Sequence, residues 1–348
     1  MEMKTEVITV NDQKWKEYTL VNNNGMAVSI LDFGGIITKI LTPDRDGKLE
    51  NVVIGFDNYK DYLDNPGYFG ALIGRVAGRV ENGQFEINGK TYQLPKNEGE
   101  NHLHGGEPGF HKSIWSVVPF ENTEEIGLTL TLNSPDGENG YPGNLRMTVT
   151  YTLTNDNALS ITYEGVADQK TVLTSTNHSY FNLSGNLESD IQEHEITLDS
   201  SKFVELDEQL IPTGDIVNVD NTAFDFRQGR QMKDGVSSSY KQNLVANHGY
   251  DHYFLFDHSK DVSAVVRDKE SGRELKVITD QPGVVMYTSN NLPEGLKLRE
   301  RESAQYLGLC LETQASPASI HHDGFPSVWL EKDEKYFAKT TFVFGVSE

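Results

Sequence analysis

The chain has 348 residues, with 52 Asp and Glu against 30 Lys and Arg, a formal net charge of −22 at pH 7. That balance excludes a phosphate backbone as partner, since displacing its counterions takes clustered Lys and Arg, and it repels an anionic membrane surface. A composition 36% hydrophobic and 24% charged is globular and long enough to fill a core without staples, and Cys310 as the only cysteine allows no internal disulfide.

Taken in chain order, the sequence alternates every second residue and hardly ever repeats at the helical period. Ala27–Leu31 and Ile36–Leu41 are the first such runs. Phe85–Ile87 and Thr91–Leu94 flank Asn88-Gly89-Lys90, where Asn-Gly supplies the positive φ angles of a tight hairpin. Ser116–Phe120 and Gly127–Leu132 follow. Next come Arg146–Leu153 and Ala158–Gly165, joined by the turn formers Thr154-Asn155-Asp156-Asn157, and then Glu195–Leu198. Residues 207–249 are rich in Asp, Asn, Gln and Ser and read as a long functional or mobile loop. The last runs are His252–Phe256, Ala264–Arg267, Glu274–Thr279, Val284–Thr288, Tyr306–Glu312 and Thr341–Phe344. About fifteen strands with no helical pattern predict an all-β fold, and so many strands must curl, stack or close into a barrel. No linker composition or repeat divides the chain, so one domain spanning 1–348 is expected. No apolar run approaches the ~20 residues that span a bilayer, and Met1-Glu2-Met3-Lys4-Thr5-Glu6 has no signal-peptide core, so the expected compartment is the cytoplasm.

There is no phosphate-loop motif, CxxC pair, HExxH helix or GxSxG elbow. Five polar segments remain. Gly74-Arg75-Val76-Ala77-Gly78-Arg79 sets two arginines among small residues that allow a ligand close approach, or is a plain surface loop. Asn101-His102-Leu103-His104 would put both histidines on one strand face, a spacing able to bind metal but with no third ligand nearby, so hydrogen bonding is the better reading. His111 has no motif around it and reads as structural. In Thr176-Asn177-His178-Ser179-Tyr180-Phe181-Asn182, an extended strand aligns Thr176, His178, Tyr180 and Asn182, a hydroxyl- and amide-lined face fit to hold a polyol. Asp251 opens the strand His252–Phe256, where an acid either caps a turn or accepts from a ligand. In Tyr306–Glu312, leucines 307, 309 and 311 share one face, while Tyr306, Gly308, Cys310 and Glu312 share the other. A Glu closing so apolar a strand is partly desolvated, which raises its pKa toward a base's working range; the competing reading is an edge carboxylate paired with an Arg.

Together with Asp32-Phe33-Gly34-Gly35, Gln281-Pro282-Gly283 and Leu311-Glu312-Thr313-Gln314, these segments resemble, in order and spacing, the aldose 1-epimerase (galactose mutarotase) family over nearly the whole chain. The resemblance implies a large antiparallel β-sandwich of the supersandwich type, with a sugar cleft on a concave sheet face. It implies Glu312 as general base and His178 as general acid, with Arg79, His104 and Asp251 binding the sugar; Tyr180, on the face of His178, is a further candidate. Two positions depart from the family pattern: Val285 stands where many members have Gln, and Gly78 where relatives often carry Asn.

Opening a hemiacetal removes a proton from O1 and delivers one to the ring oxygen, work for one base and one acid with no hydride, phosphate or covalent intermediate. No metal and no cofactor are therefore expected, and the expected partner is a free hexose such as galactose or glucose. Ionised Glu312 and protonated His178 are expected on opposite sides of the sugar. Sugar-phosphate epimerase and non-catalytic carbohydrate-binding module are the alternatives, a glycosidase being less suited because it needs a pair of carboxylates about the bond. The sequence leaves monomer and homodimer both open.

Overall fold

The computed structural model describes residues 1–347. Its first 51 residues form a five-stranded meander in which Glu2–Val10, Gln13–Val21, Ala27–Leu31, Ile37–Pro43 and Leu49–Asn51 each pair with the next. The first hairpin turns at Asn11 and Asp12, both at positive φ, which suits a two-residue turn between right-twisted strands. A nine-stranded sheet runs in the order Ser116–Glu121, Glu125–Ser134, Leu145–Thr154, Ala158–Ala167, Lys335–Val346, Arg273–Thr279, Ala264–Arg267, Glu195–Leu198, Arg230–Gln231. A six-stranded sheet runs in the order Tyr180–Phe181, Leu309–Thr313, Gly283–Tyr287, Asp251–Leu255, Lys202–Leu206, Pro212–Asn218. The ladders within all three are antiparallel, giving the stacked all-β architecture that the alternation predicts.

The main core lies where the sheets face one another. Val149, Tyr151, Ile161 and Phe342 of the nine-stranded sheet, Phe254, Val284, Met286, Leu309 and Leu311 of the six-stranded sheet, and Val28 and Ile30 of the meander belong to one buried cluster. This burial fixes which way the six-stranded sheet faces. Slipping Leu309–Thr313 by one residue would expose two leucines, at about 1.5–3 kcal/mol each, and drive Glu312 into the apolar core. The alternate residues of that sheet therefore point away from the core, and they form the floor of the site.

The structure departs from the sequence pattern in three places. The hairpin Glu2–Val10/Gln13–Val21 escapes a periodicity search because most of Glu2–Val10 is exposed on both faces. Residues 207–249 are not one loop: they contain the strand Pro212–Asn218, the pair Arg230–Gln231 and two short helices, Lys233–Val236 and Lys241–Val245. Tyr306 adopts a left-handed φ of 59°, so the strand begins only at Leu309. Below that break the faces swap: Leu307 packs with Cys310, while Tyr306 lies against the main core.

Candidate active site

Register places six side chains on the outer face of the six-stranded sheet. Tyr253, Val285 and Glu312 form one row across three adjacent strands, and Asp251, Tyr287 and Cys310 form the next. Above this floor is a cavity of about 220 Å³, walled by Tyr68, Arg79, Glu98, His104, His178 and Tyr180. Leu206, Leu210, Pro212, Leu292, Pro293 and Pro317 make an apolar rim.

His178 arrives where the chain changes partners. Thr176–Asn177 pairs with Leu72–Ile73, whereas Tyr180–Phe181 pairs with Leu309–Cys310, and residues 178 and 179 bridge the two ladders. The jog is held on several sides: His178 N donates to Ala71 O, Gly70 N donates to His178 O, Asn177 Nδ2 donates to Gly70 O, and Ser179 N and Oγ both donate to Asn177 Oδ1. A continuous strand would have aligned Thr176, His178, Tyr180 and Asn182, but the break leaves only His178 and Tyr180 at the cavity. Asn182 is structural, donating to Ser189 O and Leu307 O. The room above Gly308 and Cys310 is taken by rings: a Cβ at Gly308 would sit 2.8 Å from Tyr180 Cβ, and Cys310 Sγ is 3.6 Å from His178 Nδ1.

His178 Nε2 and Glu312 Oε1 are 3.5 Å apart, and both side chains are buried. The sequence reading expects them on opposite sides of a sugar; the structure sets them side by side. That suits the chemistry, because O1 and O5 are both bonded to C1 and are served by neighbouring groups. Burial pushes the Glu312 carboxyl up to about 8, with Asp251 adding to the shift and Arg79 opposing it. Burial also pulls His178 down to about 4. Between those values the pair binds one proton, and burial favours the uncharged form of each partner. Transfer across the 3.5 Å gap yields carboxylate and imidazolium at the same total charge.

His104, at a left-handed φ of 52°, turns away from His102 instead of sharing its face. His102 is structural: its Nδ1 donates to Pro95 O at 2.7 Å and its Nε2 accepts from Tyr141 Oη at 2.7 Å. His104 Nδ1 accepts from Gly78 N, which puts the proton of a neutral ring on Nε2 as a donor to the cavity. Burial, with His178 and Arg79 nearby, keeps this ring's pKa well below the usual value. His104, His178 and Glu312 bring ligand atoms within 4.8 Å of one another, so the third ligand that local spacing lacked comes from distant segments. The set is nonetheless ill-suited to a metal, because a ligating histidine donates its other N–H outward, and Gly78 N blocks that for His104.

The two arginines of the first polar segment separate. Arg75 is buried, donating to Ser134 Oγ and to the carbonyls of Ser134, Pro135, Pro142 and Gly143. Arg79 makes a bidentate pair with Glu98 at 2.7 and 2.8 Å and reaches Asp251 at 3.6 Å. Although burial disfavours its charge, Asp251 and Glu98 hold the guanidinium pKa above its ordinary value. Asp251 is pushed up by burial, opposed by Arg79. All six predicted residues, Glu312, His178, Arg79, His104, Tyr180 and Asp251, thus line one cavity.

Tyr68, Glu98, Tyr253, Tyr287 and Gln314 also line it, and sequence reasoning did not assign them to the site. Gln314 stands in the Leu311–Gln314 segment, but Tyr68 follows a plain Pro-Gly turn and carries no local signal. Its ring is edged by His104 at 4.7 Å and by His111 at 4.9 Å, so His111 buttresses the wall from behind.

The aldose 1-epimerase family profile matches residues 16–343. A galactose mutarotase of Sus scrofa is 41% identical over 330 residues, 94% of this chain and 93% of the relative. An aldose 1-epimerase of Escherichia coli (strain K12) is 34% identical over 346 residues, 98% of each chain. The crystal structure of a galactose 1-epimerase from Lactobacillus acidophilus NCFM superposes with a TM-score of 0.88 at 31% identity over the full length of both chains. Profile, relatives and fold agree across the chain, and it belongs to the aldose 1-epimerase family.

Proposed function

We propose that the protein interconverts the α and β anomers of free aldohexoses such as galactose and glucose, with Glu312 and His178 as the proton-transferring pair. In the forward sense the Glu312 carboxylate takes the O1 proton and the new C1 carbonyl forms. The C1–O5 bond breaks with its electron pair on O5, which the His178 imidazolium protonates. Rotation about C1–C2 presents the other carbonyl face, O5 attacks, and both protons return. No proton is consumed, so one shared proton suffices. Arg79, His104 and Asp251, with Tyr180 beneath the imidazole, hold the remaining hydroxyls while the ring is open.

The observation that carries this reading is the 3.5 Å pairing of a carboxyl and an imidazole, both buried, in a family of aldose 1-epimerases. Each acid or base typically supplies about 10²–10⁴-fold, ample for a reaction that already proceeds in water. A sugar phosphate is disfavoured, because Arg79 is the one Lys or Arg among the described lining residues and Glu98 and Asp251 already engage it. The same reading takes 1–348 as one domain, supported by a core that draws strands from the first, middle and last parts of the chain. It also takes the compartment to be the cytoplasm, consistent with a single, buried thiol. Among the described residues no helix is long and apolar enough to cross a membrane.

The test is polarimetric. Freshly dissolved α-D-galactose should relax faster with the protein, and Glu312→Gln should remove that excess rate. Relaxation at the wild-type rate in the Gln variant rules out Glu312 as the base.

A further inference from the structure

One border of the N-terminal meander is an unpaired strand edge. Glu2–Val10 pairs only with Gln13–Val21, which leaves an edge nine residues long on its other side. The two-residue turn at Asn11 and Asp12, both at positive φ, makes Val10 and Gln13 exchange both of their backbone hydrogen bonds. Alternation then turns the N–H and C=O groups of Glu2, Lys4, Glu6 and Ile8 inward, and those of Met3, Thr5, Val7 and Thr9 outward. The ladder agrees opposite Val7, where Lys16 N and O both engage Asp32 instead. Lys4, Thr5, Glu6 and Val7 are exposed in succession, so both faces of the strand are open beside this edge. We propose that Glu2–Val10 pairs with the same strand of a second copy of this chain, antiparallel and centred on Thr5, joining two five-stranded meanders into one continuous sheet.

Charge on an exposed edge ordinarily keeps other strands away, but here it selects one register. Outward groups meet outward groups only when the twofold axis passes through a residue rather than between two. Centring on Lys4 sets Lys4 against Lys4 and Glu2 against Glu6, and centring on Glu6 sets Glu6 against Glu6. Centring on Thr5 instead sets Lys4 against Glu6 at two symmetric places, Met3 against Val7, and Thr5 against Thr5. In that register the outward N–H and C=O groups of Met3, Thr5 and Val7 all find counterparts. Within one chain Glu6 stands opposite Glu17, a like-charge pair that costs stability, and Lys4 reaches only Glu2, at 3.5 Å. The second copy's Lys4 relieves the Glu6 charge.

The experiment is sedimentation equilibrium over a concentration series, with backbone amide exchange followed at the same concentrations. Wild type should pass from monomer to dimer as concentration rises, and exchange at Met3, Thr5 and Val7 should slow with it. Lys4→Glu places a carboxylate opposite Glu6 at both symmetric positions and should weaken association by about tenfold or more. Combining Lys4→Glu with Glu6→Lys restores both opposite-charge pairs and should recover the dimer. A wild-type protein that stays monomeric at every concentration overturns the proposal. So does a dimer that Lys4→Glu leaves intact, or one that the double variant fails to recover.

Discussion

At the scale of single residues, the shared proton sets the pH dependence. Below about 4 both His178 and Glu312 are protonated and the pair has no base; above about 8 neither is, and it has no acid. A plot of kcat/KM against pH should therefore be a bell with apparent limits near those values, belonging to the pair and not to either residue. Asp251 adds to the raised pKa of Glu312, so Asp251→Asn should move the alkaline limit to lower pH as well as weakening sugar binding. An alkaline limit that stays put or rises in that variant contradicts the electrostatic account. Stability follows the same shift with its own sign. A carboxyl whose folded pKa lies above its unfolded value favours the fold below the unfolded value and ceases to do so as pH rises through the folded one, so Glu312→Gln should gain on wild type in thermal unfolding at about pH 9 relative to about pH 5. Residues such as Glu312 are legible in sequence because alternation alone puts them opposite a leucine face. His104 and His178 needed the resemblance, since one turns out of its strand at positive φ and the other sits between two ladders. Tyr68 was invisible, because only folding brings the histidines to its ring.

At the scale of elements, His178 is placed by the clamp that joins Thr176–Asn177 to the segment around Gly70. Gly70 has φ +67°, and a Cβ there would run into the carbonyl of Ile37. Its N–H donates to His178 O while its carbonyl accepts from both Ile37 N and Asn177 Nδ2. Gly70→Ala should therefore lower stability by about 1–3 kcal/mol, read as an earlier urea midpoint, and should cut kcat more than it changes KM because it shifts the imidazole without touching sugar contacts. Unaltered kcat in a folded Gly70→Ala protein would separate the clamp from catalysis. One-sided burial decides what the period-two pattern shows and what it misses. Arg146–Leu153 and Ala158–Gly165 were legible as a hairpin because one face of each packs on the core. Lys202–Leu206 and Pro212–Asn218 were not, since the latter lies at the sheet edge, largely exposed, and shows no alternation.

At the scale of the whole molecule, the excess of acid matters through its field rather than through particular carboxylates. A net charge of −22 repels anions over distances set by salt, about 30 Å at about 0.01 M and about 3 Å at about 1 M. A neutral hexose feels none of this, so kcat/KM for glucose should change by less than about twofold across that range. Glucose 6-phosphate approaches against the field and meets a cavity whose one arginine is bound to Glu98 and close to Asp251. Any turnover of the phosphate ester should therefore be weak at low salt and rise as salt screens the repulsion. Measuring both sugars along one salt series tests substrate charge directly: a glucose rate that changes steeply with salt would contradict the insensitivity expected of a neutral substrate, and a phosphate ester preferred at low salt would mean that an electropositive approach to the cavity governs binding. The described lining residues offer no such approach.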